Sequence, residues 1–123
     1  MVEDVVRSAR TRVASGWCQG EDARDAAGAP VEFWGEDARA WSLLGALVAP
    51  SHPTPLREVV VPLAEVAAAV VVVADVMRTA SLKDWNDAPG RTQEQVVAAL
   101  DAALERLATT PAAGDRSAGA SGN

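Results

Sequence analysis

Valines and alanines recur at helical spacing from the start of the chain. Val2, Val5, Val6, Ala9 and Val13 share one face, and Arg7, Arg10 and Arg12 fall among the outward positions. The spacing predicts a first helix over 2–14, stopped at Ser15-Gly16, because glycine accepts the left-handed geometry in which helices commonly end. The period then breaks. Gly16, Gly20, Gly28 and Pro30 interrupt "GWCQGEDARDAAGAPVEFW", so residues 17–34 read as an irregular insert or a short β-hairpin turning near Asp25 to Gly28.

From Glu36 the helical pattern resumes, with Trp41, Leu44, Leu47 and Val48 on one face and Pro50 as the stop. Acidic Glu36 and Asp37 suit the positive end of that helix's dipole. "SHPTP" is a loop, and Thr54-Pro55 reads as an N-cap followed by a first-turn proline. Pro62 predicts either a kink or a short helix over 55–61 before a longer one over 62–79. The β-branched run Val70 to Val73 leaves a short buried strand open as the alternative there. The last helix is the clearest: Thr92 and Gln95 make a capping box, and Val96, Val97, Leu100, Leu104 and Leu107 supply the apolar face. After Thr110, "PAAGDRSAGASGN" has no periodicity and reads as a disordered tail.

The expected architecture is mainly α: a small bundle of three to five helices over residues 1–108, with the hairpin or irregular insert at 17–34 and a tail over 109–123. The expected core includes Val6, Val13, Trp41, Leu44, Leu47, Leu63, Val66, Val70, Val97, Leu100 and Leu104.

Composition narrows the function classes. A chain of 123 residues with 49% hydrophobic and 23% charged residues supports one domain with one modest core. A formal net charge of -6 opposes binding to a phosphate backbone, so nucleic acid is not an expected ligand. The apolar run Val59 to Met77 is interrupted by Pro62, Glu65 and Asp75, short of the roughly 20 apolar residues of a membrane span. It reads as a core helix, and no membrane partner is expected. The acidic start, Met1-Val2-Glu3-Asp4, lacks the features of a signal peptide. A lone Cys18 and a lone His52 provide neither an internal disulfide nor a Cys/His zinc cluster; a reducing cytoplasm fits, and no metal or cofactor is expected. Ten arginines against the single Lys83, with heavy use of alanine, point to a high-GC bacterial or phage source.

The densest polar stretch is "DWNDAPGRT", Asp84 to Thr92. As a calcium loop it fails, with Ala88, Pro89 and Gln95 standing where an oxygen ligand, a glycine and a bidentate glutamate are needed. Two readings remain. In the structural one, Asn86 or Asp87 bonds its own backbone, Pro89-Gly90 forms a type II turn, Trp85 anchors the loop and Arg91 pairs with Asp84 or Asp87. In the functional one, Arg91 and the following helix N-terminus hold a small anion, with Asp87 as an acid or base beside it. The structural reading covers more residues.

"GWCQG", Gly16 to Gly20, is the second patch. Cys18 beside Trp17 and Gln19 has no evident base to activate it, so it reads as a buried thiol. His52 reads as a surface loop residue, and Glu21, Asp22 and Asp25 as water-facing carboxylates. All four tryptophans are expected to be mainly packed, with Trp41 in the core and Trp34, beside Phe33 and Gly35, as the better candidate for an exposed contact.

"GWCQG", "ARAWSLLGAL" and "WNDAPGRTQEQVVAALDAAL", in that order, resemble a family of small bacterial and actinophage proteins that carry a domain of unknown function. The resemblance spans roughly Val2 to Leu107. It departs at Ser42, where the family pattern often has a cysteine; a two-thiol site, which would need that cysteine to meet Cys18 in space, cannot form in this chain. It implies a fold and no activity. Two hypotheses follow. The first is a non-enzymatic binding or protein-interaction module whose contacts include Trp17, Gln19, Trp34 and Trp85. The second is a small hydrolase-like or anion-binding enzyme using Asp87, Asn86 and Arg91. A perturbed carboxylate in a pocket between Trp17 and Trp85 would favour the enzyme, and an apolar patch around Trp34 would favour the module. A homodimer through the valine-rich helix is compatible with either.

Overall fold

A computed structural model describes residues 2–49 and 63–109. Five helices and one two-stranded antiparallel pair follow in the order α1 (Val2–Ser15), β1 (Ala23–Arg24), β2 (Ala40–Trp41), α2 (Leu43–Val48), α3 (Leu63–Met77), α4 (Leu82–Asn86) and α5 (Gln93–Thr109). The expected short helix over 55–61, the Thr54-Pro55 cap, His52 and the tail from 110 lie outside the described residues.

The valine and alanine periodicity of α1 does what its spacing predicts. Val6, Ala9 and Val13 are fully buried and meet α5, α2 and α3. α5 answers with Val96, Ala99, Leu100 and Ala103, and α3 with Val66, Ala69 and Val73. Alanines at these crossings let the helix axes approach closely, and each fully buried valine or leucine contributes about 1.5–3 kcal/mol. The run Val70 to Val73 lies within α3 and is helical. Of the remaining expected core, Leu47 is buried, while Trp41, Val70, Val97 and Leu104 are half-buried against the cluster.

Helix ends follow local chemistry. Thr92 Oγ1 accepts from Gln95 N–H at 3.2 Å and Gln95 Oε1 accepts from Thr92 N–H at 3.1 Å, the reciprocal capping box. Gln93 also donates to the Val13 carbonyl at 2.7 Å, closing the end of α1 from another helix. α3 ends on Arg78 in the left-handed region (φ 54°), with Arg78 N–H donating to Asp75 O and Thr79 N–H to Ala74 O, the paired bonds of a Schellman motif.

Three expectations need correction. The helix expected from Glu36 begins only at Leu43. Arg39 N–H donates to Arg24 O (2.8 Å), Trp41 N–H to Gly16 O (3.1 Å) and Ser42 N–H to Asp22 O (3.0 Å), so distant backbone claims the donors that a helix would need. Ser42 then caps α2 by accepting from Gly45 N–H. Leu44, expected in the core, is half-buried at the edge of a cleft. Arg12, expected outward, is half-buried and donates to the Ala46 carbonyl at 3.2 Å.

The insert is a real hairpin turn. Asp25 Oδ1 accepts from Ala27 and Ala29 N–H, Gly28 N–H donates to Asp25 O, and Val31 N–H donates back to Ala23 O. β1 pairs with β2 in the register Ala23 with Trp41 and Arg24 with Ala40, while Trp17 bridges Trp41 in parallel. Residues 16–42 thus form a flap held against the bundle at α2 and α4.

Candidate functional site

The two polar patches meet, and Asn86 is where they join. It ends α4, which Ser81 opens by accepting from Asp84 N–H. Its side chain is fully buried. Oδ1 accepts from Trp17 Nε1 at 2.7 Å and from Leu43 N–H at 3.0 Å, and Nδ2 donates to the Cys18 carbonyl at 3.1 Å and to Asp87 Oδ1 at 3.0 Å. A carboxamide has two acceptor and two donor positions, and all four are filled. Gln19 extends the join by donating to the carbonyls of Asn86 (2.9 Å) and Ala88 (3.1 Å).

Asp87 stands at the margin of this network. Oδ1 accepts from Gly20 N–H at 3.0 Å as well as from Asn86, and Oδ2 faces Lys83 Nζ at 3.3 Å. Partial burial pushes its carboxyl upward, yet the donors from Gly20, Asn86 and Lys83 together outweigh this and hold it below the ordinary aspartate range. Such a carboxylate stays ionised at neutral pH. Cys18 is buried, its Sγ 3.6 Å from the Glu21 carbonyl, and that burial pushes the thiol upward despite Arg24 nearby. It is a neutral thiol.

Arg91 does not pair with Asp84 or Asp87, as the turn reading expected. Its guanidinium lies 3.8 Å from the centre of the Trp85 ring, and Nε donates to the Trp85 carbonyl at 2.9 Å. Cation–π stacking on a tryptophan face plus a backbone acceptor accounts for the position. Nor does Asn86 or Asp87 bond its own backbone through its side chain; the partners are Trp17, Cys18 and Gly20 of the flap, Leu43 of α2, Lys83 of α4 and each other. The Pro89-Gly90 turn is as expected: Arg91 N–H donates to Ala88 O at 3.1 Å and Gly90 sits at φ +81°, the left-handed value a type II turn requires at that place. Trp17 reaches Asn86, the neighbour of Trp85, and no ring contact joins Trp17 to Trp85 among the described residues.

Two hollows lie beside this network and share Glu21 and Asp22. One, of about 160 Å³, is bounded by Gly20, Ser42, Leu44, Lys83 and Asp87. The other, of about 380 Å³ and more open, runs along Pro30, Val31, Glu32, Phe33 and Trp34. Phe33 and Trp34 meet edge to face with ring centres 4.8 Å apart, and Trp41 Nε1 donates to the Phe33 carbonyl, fixing the segment from below. The Trp34 indole N–H has no acceptor among the described residues. Among the described residues no three His, Cys, Asp or Glu side chains are placed to hold a metal ion, and no helix is long and apolar enough to cross a membrane.

Sequence reasoning missed Ser42, Lys83, Gly20 and the whole of α4. The signal for α4 was present: Ser81 stands three residues before Asp84, the spacing of an N-terminal cap.

A mainly helical domain, with a short two-stranded pair in a flap that an asparagine pins to the bundle, is the class that these elements define. The chain belongs to the family of unknown function DUF6197, whose model matches residues 1–106. No curated protein and no solved structure gives a match.

Proposed function

We propose that the protein is a non-enzymatic binding module of bacterial or phage origin, acting in the cytoplasm through the surface of its flap. The observation that carries this reading is the direction of the polar groups. Trp17, Gln19 and Asn86 bond the flap to α4 and keep no polar group of Asn86 for a ligand, while the segment they support carries the open Phe33–Trp34 hollow. The enzyme reading finds less support. Its acid or base, Asp87, is held ionised; its cation, Arg91, is stacked on Trp85; and the one thiol is buried and neutral. A general acid or base works best with a pKa near the working pH, and Asp87 is displaced away from it.

A fragment screen followed by ¹H–¹⁵N chemical shifts tests the proposal. Hits are expected to perturb residues 21–22 and 31–34, and to lose that pattern in Trp34→Ala. Hits confined to Asp87 and Arg91, or turnover of a model ester that disappears in Asp87→Asn, would overturn it.

A further inference from the structure

The charge around the hollow identifies the partner's chemistry more closely. Between Gly20 and Ala40 six acids, Glu21, Asp22, Asp25, Glu32, Glu36 and Asp37, stand against two bases, Arg24 and Arg39. Both bases are engaged with backbone: Arg24 donates to the carbonyls of Gly28 and Gln19, and Arg39 to those of Glu36 and Ala38. No ion pair reaches Glu21, Asp22 or Glu32 among the described residues, and all three are exposed. The groove therefore combines an aromatic wall, Phe33 and Trp34, with three uncompensated carboxylates at its rim. An indole face attracts a cation through its quadrupole, and nearby carboxylates add to that attraction. Elsewhere in the chain a guanidinium already stacks on an indole, Arg91 lying 3.8 Å from the Trp85 ring centre, though without a carboxylate partner among the described residues. The smaller hollow is less suited to a cation because Lys83 already lines it.

We infer that the Phe33–Trp34 groove receives an arginine side chain from a basic segment of a partner polypeptide, with Glu21, Asp22 and Glu32 as its counter-charges. This rests on the binding-module reading and goes further by stating what is bound. A guanidinium suits the groove because its plane stacks on an indole while its edge donates to carboxylates.

The test is an NMR titration of the full chain with acetyl-Ala-Arg-Ala-amide beside the same peptide carrying citrulline, which is nearly isosteric and neutral. The arginine peptide is expected to shift the Trp34 indole N–H and the amides of 21–22 and 31–34. The citrulline peptide should bind at least about fivefold more weakly, and raised salt should weaken the arginine peptide alone. Replacing Glu21→Gln, Asp22→Asn and Glu32→Gln together should weaken the arginine peptide by at least about fivefold, since three exposed charge pairs are lost at once. Thermal melting of this triple variant is the control for folding. Equal binding of the two peptides, or arginine shifts mapping elsewhere, overturns the inference. If neutral fragments still occupy the groove, the binding-module reading stands without the cation; if nothing perturbs 21–22 and 31–34, both fall.

Discussion

Replacing Asn86→Ala removes four hydrogen bonds at once, and its cost follows from what is left behind. Leu43 N–H and the Cys18 carbonyl lose their Asn86 partners at 3.0 and 3.1 Å in buried positions, while half-buried Trp17 Nε1 loses one at 2.7 Å. Each buried polar group without a partner costs about 1–3 kcal/mol, and the half-buried indole falls at the low end. The expected loss is therefore about 3–7 kcal/mol, or at least roughly 12 °C in the midpoint of a domain near 100 residues. Urea and thermal denaturation measure it, and a double-mutant cycle with Trp17→Phe isolates the 2.7 Å bond, for which a coupling of about 1 kcal/mol is expected. Asn86→Asp refines the test. It keeps both acceptors but places a carboxylate against the Asp87 carboxylate and the Cys18 carbonyl, so its deficit should be largest at neutral pH and shrink as acid protonates the new group. A loss below about 1 kcal/mol in Asn86→Ala would refute the idea that this side chain holds the flap to the bundle.

Two further predictions concern neighbouring groups. Asp87 has its carboxyl depressed by Gly20, Asn86 and Lys83 against the desolvation that opposes them, so its stabilisation is full above the ordinary aspartate value near 3.9 and is lost as pH falls through the lower folded value. Urea denaturation of wild type and Asp87→Asn should therefore differ most at pH 7 and converge below about pH 4; a difference that stays constant to pH 2.5 would show that the carboxylate charge is irrelevant. For Gly45→Ala, helix propensity alone predicts a gain of about 1 kcal/mol. A Cβ there would instead run into the Asp22 carbonyl, which is held by Ser42 N–H at 3.0 Å, so a net loss of about 1–3 kcal/mol is expected, and a rise in midpoint would contradict the close approach of flap and α2.

The parts of this molecule legible in one dimension are those whose partners lie within a few residues. The faces of α1 and α5, the Thr92–Gln95 capping box and the Pro89-Gly90 turn depend on neighbours three or four positions away. The start of α2 falls later than its apolar spacing predicts because the upstream donors answer to Gly16, Asp22 and Arg24, which no local pattern announces. Charge alone pairs Arg91 with a carboxylate, whereas in space its guanidinium stacks on the ring of Trp85.

Composition and periodicity determined a mainly helical domain, an apolar α3 and the interest of "GWCQG" and "WND". Whether those polar residues face a ligand or each other was decided only in three dimensions. A buried asparagine and a solvent-facing one read the same as letters. What separates them here is a set of partners 43, 68 and 69 positions away, brought to hydrogen-bonding distance by the packing of flap against α2 and α4. The Phe33–Trp34 groove follows the same logic: its carboxylates come from residues 21, 22 and 32, on both sides of the hairpin turn, and only the turn's closure gathers them around one aromatic wall.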